Sequence, residues 1–67
     1  MKIEMQDALW FRLDESQRYD VLQKMEFYGG GFASALAKAW QRADASNSAK
    51  LGAAFDDLVR KYHNGGY

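Results

Sequence analysis

Three groups of residues have types and spacing that could support chemistry. Gly29-Gly30-Gly31 stands just ahead of an apolar-periodic run that opens at Phe32. Exposed amides leading into a helix attract anions, so this arrangement could cradle a phosphate. It lacks the Lys and Ser/Thr that follow in a nucleotide loop, and no strand pattern precedes it. The three glycines therefore read as a tight interhelical turn that needs positive φ and close packing. His63 could serve as a general base. It sits beside Asn64-Gly65-Gly66, and no Ser or Cys nucleophile stands in a recognisable motif, so it reads as a surface residue in a last helical turn. Asp56 and Asp57 are adjacent and project about 100° apart on a helix, which makes no catalytic pair. They read as a solvated face. No catalytic residue is assigned, and a non-enzymatic protein is expected.

Metal and redox chemistry have little to work with. The chain has no Cys and one His, which removes disulfides, thiolate sites and multi-His sites together. No metal or cofactor is expected. Binding is the better-supplied class. Trp10 and Phe11 are adjacent large aromatics, and both cannot enter a core reached by one stripe of a helix. Either one is exposed as an interface anchor, or a short end helix wraps so that both are covered. The spacing favours Phe11 as the interface residue and Trp10 as partly core. For nucleic acid, the candidate contacts are Lys38, Arg42, Lys50, Arg60 and Lys61. Asp56 and Asp57 lie on the same outer face as Arg60 and Lys61, where they would repel phosphates.

The elements that must position these residues are legible from apolar spacing. Phe32, Ala35, Leu36, Ala39, Trp40 and Ala43 follow i, i+3, i+4, i+7, i+8, i+11, and so do Leu51, Ala54, Phe55, Leu58, Val59 and Tyr62. That template is a helix with one buried stripe. Two such helices, about 32–44 and 48–63, joined by a short polar connector, predict a C-terminal helical hairpin. Its core should be Leu36, Trp40, Phe55, Leu58 and Val59. Small residues at Ala35, Ala39 and Ala43 should admit the neighbouring helix, and Ser46, Asn47 or Ser48 should cap the second arm. Asp56–Arg60 and Asp57–Lys61 are acid-before-base i,i+4 pairs on its outer face.

Upstream, Asp14-Glu15-Ser16-Gln17 reads as a capping box for a helix over about 15–28. Val21, Leu22, Met25 and Tyr28 form its inner face, and the glycines end it. Residues 1–13 fit either a helix or a strand. A helix over about 4–12 is favoured, because no second strand exists to pair with. The fold class is all-α: a single domain over residues 1–67, a small bundle of three to four short helices.

Composition bounds the partners. Nine basic and nine acidic side chains cancel, with three basic and five acidic groups in residues 1–20 and five basic and three acidic in residues 32–67. Dedicated nucleic-acid binders carry a basic excess, so the balance argues against that class. No apolar run approaches the roughly 20 residues that cross a bilayer. The start lacks the apolar segment of a secretory signal, so a cytoplasmic location is expected. A chain of this size has a thin stability margin, which tight packing or self-association as a homodimer or higher oligomer would relieve.

The stretch from Tyr28-Gly29-Gly30-Gly31-Phe32 through Ala39-Trp40 and Ala43-Asp44, then Asn47 and Ala53-Ala54-Phe55, carries a resemblance. It resembles small uncharacterised helical proteins encoded in tailed-phage and prophage genomes, over about residues 17 to 62. Asp56 stands where those proteins usually have a Pro, which predicts no sharp break there. The resemblance implies a setting, in the cytoplasm of the phage's host, and no catalytic residue.

The leading expectation is a small docking module that acts on a host or phage protein by steric occlusion or allosteric capture. The alternatives are a helix-turn-helix-like DNA-binding regulator and an oligomeric structural or assembly subunit.

Overall fold

The computed structural model describes residues 7–67. They fold as an all-helical bundle: a 3-10 helix over Leu9–Arg12, then α1 (Glu15–Tyr28), α2 (Gly30–Gln41), α3 (Ala45–Ala54) and α4 (Asp56–His63). No strand forms among the described residues, as the absence of any period-two run requires.

The chain before α1 departs from the expected α-helix over 4–12. Its first part lies outside the described residues, and what is described is one 3-10 helix. Trp10 and Leu13, three apart, fall on one side and are both buried, as the three-residue repeat of a 3-10 turn requires. The extended conformation of Leu13 (φ −88°, ψ 144°) then delivers the chain to the N-cap of α1. There Asp14 accepts from the Gln17 N–H at 2.8 Å, and Gln17 accepts from the Asp14 N–H at 3.0 Å. The capping box closes in both directions.

The most extensive helix contact joins α1 to α2. Val21, Leu22 and Met25 face Ala33, Ala37 and Trp40. Gly30, at φ 70°, turns the chain, while Gly29 permits the approach. A methyl added at Gly29 would lie 2.3 Å from the Met25 carbonyl oxygen and 2.4 Å from the Ala33 methyl. Only a small residue faces inward so close to the turn, and this fixes the rotation of α2. The inner stripe is Ala33, Leu36, Ala37 and Trp40, not the stripe containing Phe32, Ala35 and Ala39. Those three are exposed, and so is Tyr28, which was expected inside.

The second arm of the hairpin differs from the single helix expected over 48–63. It begins at Ala45, with Asp44 accepting from the Asn47 N–H at 2.8 Å, so Asp44 is the cap and none of Ser46, Asn47 and Ser48 is. It breaks at Phe55 (φ −114°, ψ 37°), and α4 restarts at Asp56. The break has a polar cause: the Asp56 carboxylate turns inward to reach the 3-10 helix. Of the expected hairpin core, Trp40 and Val59 are fully enclosed, whereas Leu36, Phe55 and Leu58 are half-buried at its edge.

Candidate functional site

Trp10, named from sequence as an anchor, is 4% exposed. Its ring lies 4.7 Å from that of Trp40, and its other side rests on Gly52 of α3, where a methyl would overlap it. The indole N–H of Trp40 donates to the Ser48 hydroxyl at 3.1 Å, so the buried polar end is satisfied. Phe11 is half-buried against the same core. The covered alternative therefore describes this pair: Trp10, expected to be partly core, is core, and Phe11, favoured as the interface residue, packs half-buried against the same cluster. The cause is the glycine at position 52, which opens a seat for a large ring on a helix that sequence spacing alone would pack through Leu51, Ala54 and Phe55.

The exposed aromatics lie elsewhere. Phe27 is 75%, Phe32 66% and Tyr28 64% exposed, and all three flank the glycine turn between α1 and α2. Gly65, at φ 77°, ends α4, and the Gly66 N–H donates to the Lys61 carbonyl at 3.0 Å. That is the long bond of a Schellman turn, and it folds Tyr67 back over the bundle. Tyr67 stacks on Tyr28 at 4.9 Å and on Tyr62 at 5.2 Å. Across the turn, Phe32 meets Phe55 at 6.1 Å. The result is an end of the molecule where Tyr28 is held by Tyr67 and Phe32 by Phe55, and these two rings and Phe27 remain largely exposed. The ammonium of Lys61 lies 5.6 Å from the Tyr62 ring centre.

The ionic features are mainly structural. Asp56 accepts from the Leu9 N–H at 2.8 Å and from Arg60 Nε at 2.6 Å. It is almost fully buried, which corrects its reading as a solvated residue. Burial pushes its carboxyl up, but the hydrogen bonds from Arg60 and Leu9 and the charges of Arg60 and Arg12 outweigh this, holding it below the usual value. The pair Asp57–Lys61 does not close, and Asp20–Lys24 at 2.8 Å is the other ion pair among the described residues. That hydrogen bond with Asp20 raises the Lys24 pKa.

The candidate phosphate contacts are dispersed. Lys38 and Arg42 line a polar groove with Glu26 and Gln41, Lys50 stands on α3, and Arg60 is engaged by Asp56. His63 is partly covered at the end of α4. Among the described residues, no group of three or more His, Cys, Asp or Glu could hold a metal ion, and no helix is long and apolar enough to cross a membrane.

Sequence reasoning missed Phe27, and it placed Tyr28 and Phe32 inside. Phe27 lies off the Val21–Leu22–Met25 stripe, a signal that was available. The phase of α2 was not, because Ala stands at positions 33, 35, 37, 39 and 43 and supports more than one stripe. No family model, curated protein or solved structure matches this chain.

Proposed function

We propose that this protein is a small non-enzymatic docking module whose contact surface is the aromatic end formed by Phe27, Tyr28 and Phe32. The observation that carries the reading is the grouping of these three exposed rings around one glycine turn. At about 150–250 Å² of surface for a whole aromatic side chain, they offer on the order of 400 Å². That matches the central anchor cluster of an ordinary protein interface, which takes about 800 Å² from each partner. The occupant is an apolar patch on another protein. The zero net charge and the diversion of Arg60 to Asp56 both weigh against the DNA-regulator alternative. The likeness to phage-encoded proteins suggests a host or phage partner in the host cytoplasm.

The test uses wild type and the Phe27→Ser/Phe32→Ser double variant, each immobilised and exposed to host lysate. A partner retained by wild type and lost from the variant, with the variant still folded at the assay temperature by circular dichroism, supports the reading. Equal retention by both defeats it. Sedimentation equilibrium separates the assembly-subunit alternative: self-association lost in the double variant would make the occupant a second copy.

A further inference from the structure

A second feature, away from the aromatic end, is built around a restrained arginine. A cleft of about 400 Å³ opens between the 3-10 helix, α1 and the end of α2, with Trp10 and Trp40 along its floor and Tyr19 and Glu15 on its exposed rim. Arg18 projects into it. Its Nε donates to the Trp10 carbonyl at 2.9 Å, and its guanidinium carbon lies 5.0 Å from the centre of the Trp10 ring. The side chain is thus fixed by one hydrogen bond and by contact with an indole face. Its terminal amino groups donate to no described residue, and no described carboxylate pairs with it.

An arginine held in this way loses little further freedom when it binds. Its planar fork matches a carboxylate through two parallel hydrogen bonds. Tyr19, 63% exposed, supplies flat apolar surface beside the guanidinium, and the buried Trp10 and Trp40 close the floor of the cleft. Glu15, also in the cleft, offsets the charge of Arg18, so a phosphate monoester with two negative charges is disfavoured more than a carboxylate with one. We propose that this cleft binds a carboxylate carried on a flat apolar group. The same chemistry is presented by a small arylalkanoic acid and by the free carboxyl end of a peptide that finishes in an aromatic residue.

The two tryptophans of the chain both line the cleft, so their indole N–H signals in a nitrogen–proton correlation spectrum report on it directly. Indole-3-acetate should shift both signals and bind about fivefold more tightly than the neutral indole-3-acetamide. Arg18→Gln should erase that preference. Glu15→Gln should strengthen binding of the acid by about twofold and leave the amide unchanged, a pair of opposite effects that a purely structural arginine would not produce. Comparing the acid with a tripeptide ending in a free Phe carboxylate, and with its amide, assigns the source. Equal affinity of acid and amide for wild type, no shift with either, or a preference that survives Arg18→Gln would overturn the proposal. If Arg18→Gln fails to fold, the acid–amide comparison on wild type and the Glu15→Gln result decide it.

Discussion

Replacing Gly52 by Ala should destabilise this protein, although the same change inside a helix ordinarily stabilises. Position 52 lies within α3, where Ala is favoured over Gly by about 1 kcal/mol. Against that, the added methyl would stand 2.5 Å from Trp10 Cδ1, 2.6 Å from Cγ and 2.8 Å from Cβ. Carbon atoms rest at about 3.5–4.0 Å, so Trp10 must retreat by about 1 Å. It has nowhere to go cheaply. Trp40 backs it at 4.7 Å, and Arg18 holds its carbonyl. Because the overlapped atoms include Cβ, the 3-10 helix itself must move, which strains the Leu9–Asp56 bond. Overpacking of this kind costs about 1–3 kcal/mol, which leaves a net loss of up to about 2 kcal/mol after the propensity gain. In a domain of this size each kcal/mol shifts the melting temperature by roughly 4–8 °C. Gly31→Ala is the control, since a methyl there meets open space at a helical position without positive φ; it should stabilise by up to about 1 kcal/mol. Thermal melts by circular dichroism compare the three proteins. A Gly52→Ala variant that melts at or above wild type would refute the seat assigned to Trp10.

Other perturbations test separate parts of the structure. Trp10→Ala should cost about 3–5 kcal/mol and unfold much of the population at 37 °C, whereas Phe11→Ala, at the core's edge, should cost clearly less; urea melts of both decide. Met25→Ala, fully enclosed between α1 and α2, should cost about 2–5 kcal/mol in the same assay. Asp56→Asn should cost about 1–3 kcal/mol at neutral pH, because it removes the charged acceptor of two hydrogen bonds. The Asp56 pKa is lowered in the folded state from 3.8, so its stabilising effect is complete above that value and fades as pH falls through the folded value. The gap between wild type and Asp56→Asn in melting temperature should therefore narrow below about pH 4. Tyr67→Ala should remove two stacking contacts and lower stability by about 0.5–1.5 kcal/mol each at most.

What the sequence made legible was local, and what it concealed was the direction in which each helix faces. The capping box at Asp14 and Gln17 involves residues three apart, so α1 is readable to its boundaries. The glycine turn is readable for the same reason. The phase of α2 is not, because alternate alanines leave several stripes equally apolar; it is decided by how close Gly29 lets Ala33 approach Met25. The break at Phe55 depends on a partner 47 residues away, the Leu9 N–H, and no window along the chain contains both. The seat of Trp10 has the same character. A glycine inside a helix pattern signals either weakness or close approach, and only the three-dimensional neighbour distinguishes the two.

These long-range contacts also explain why the aromatics ended up where they are. Of two Trp, four Tyr and four Phe, five rings remain exposed. Burying one such ring is worth about 1.5–3 kcal/mol, which is substantial against a domain total of about 5. The bundle nevertheless fills its interior with Trp10, Trp40 and Tyr62 and uses alanine where α2 meets α1. Close helix approach and large inward rings exclude each other at one site, so seating the tryptophans below α1 and α2 obliges Phe32 and Tyr28 to face out. Packing accounts for their direction and only partly for their type. Tyr28 stacks on Tyr67 and Phe32 meets Phe55, yet well over half of each residue's surface stays in water, and a Ser or Lys at 27 would keep the same helices with less apolar surface. A surplus of open rings beside a rigid turn is therefore the feature that folding leaves unexplained. If docking supplies the missing reason, Phe27→Ser/Phe32→Ser should cost no more than the Phe32–Phe55 contact, about 0.5–1.5 kcal/mol, while abolishing partner retention. A double variant that unfolds instead would return both rings to the core and remove the surface on which the proposed function rests.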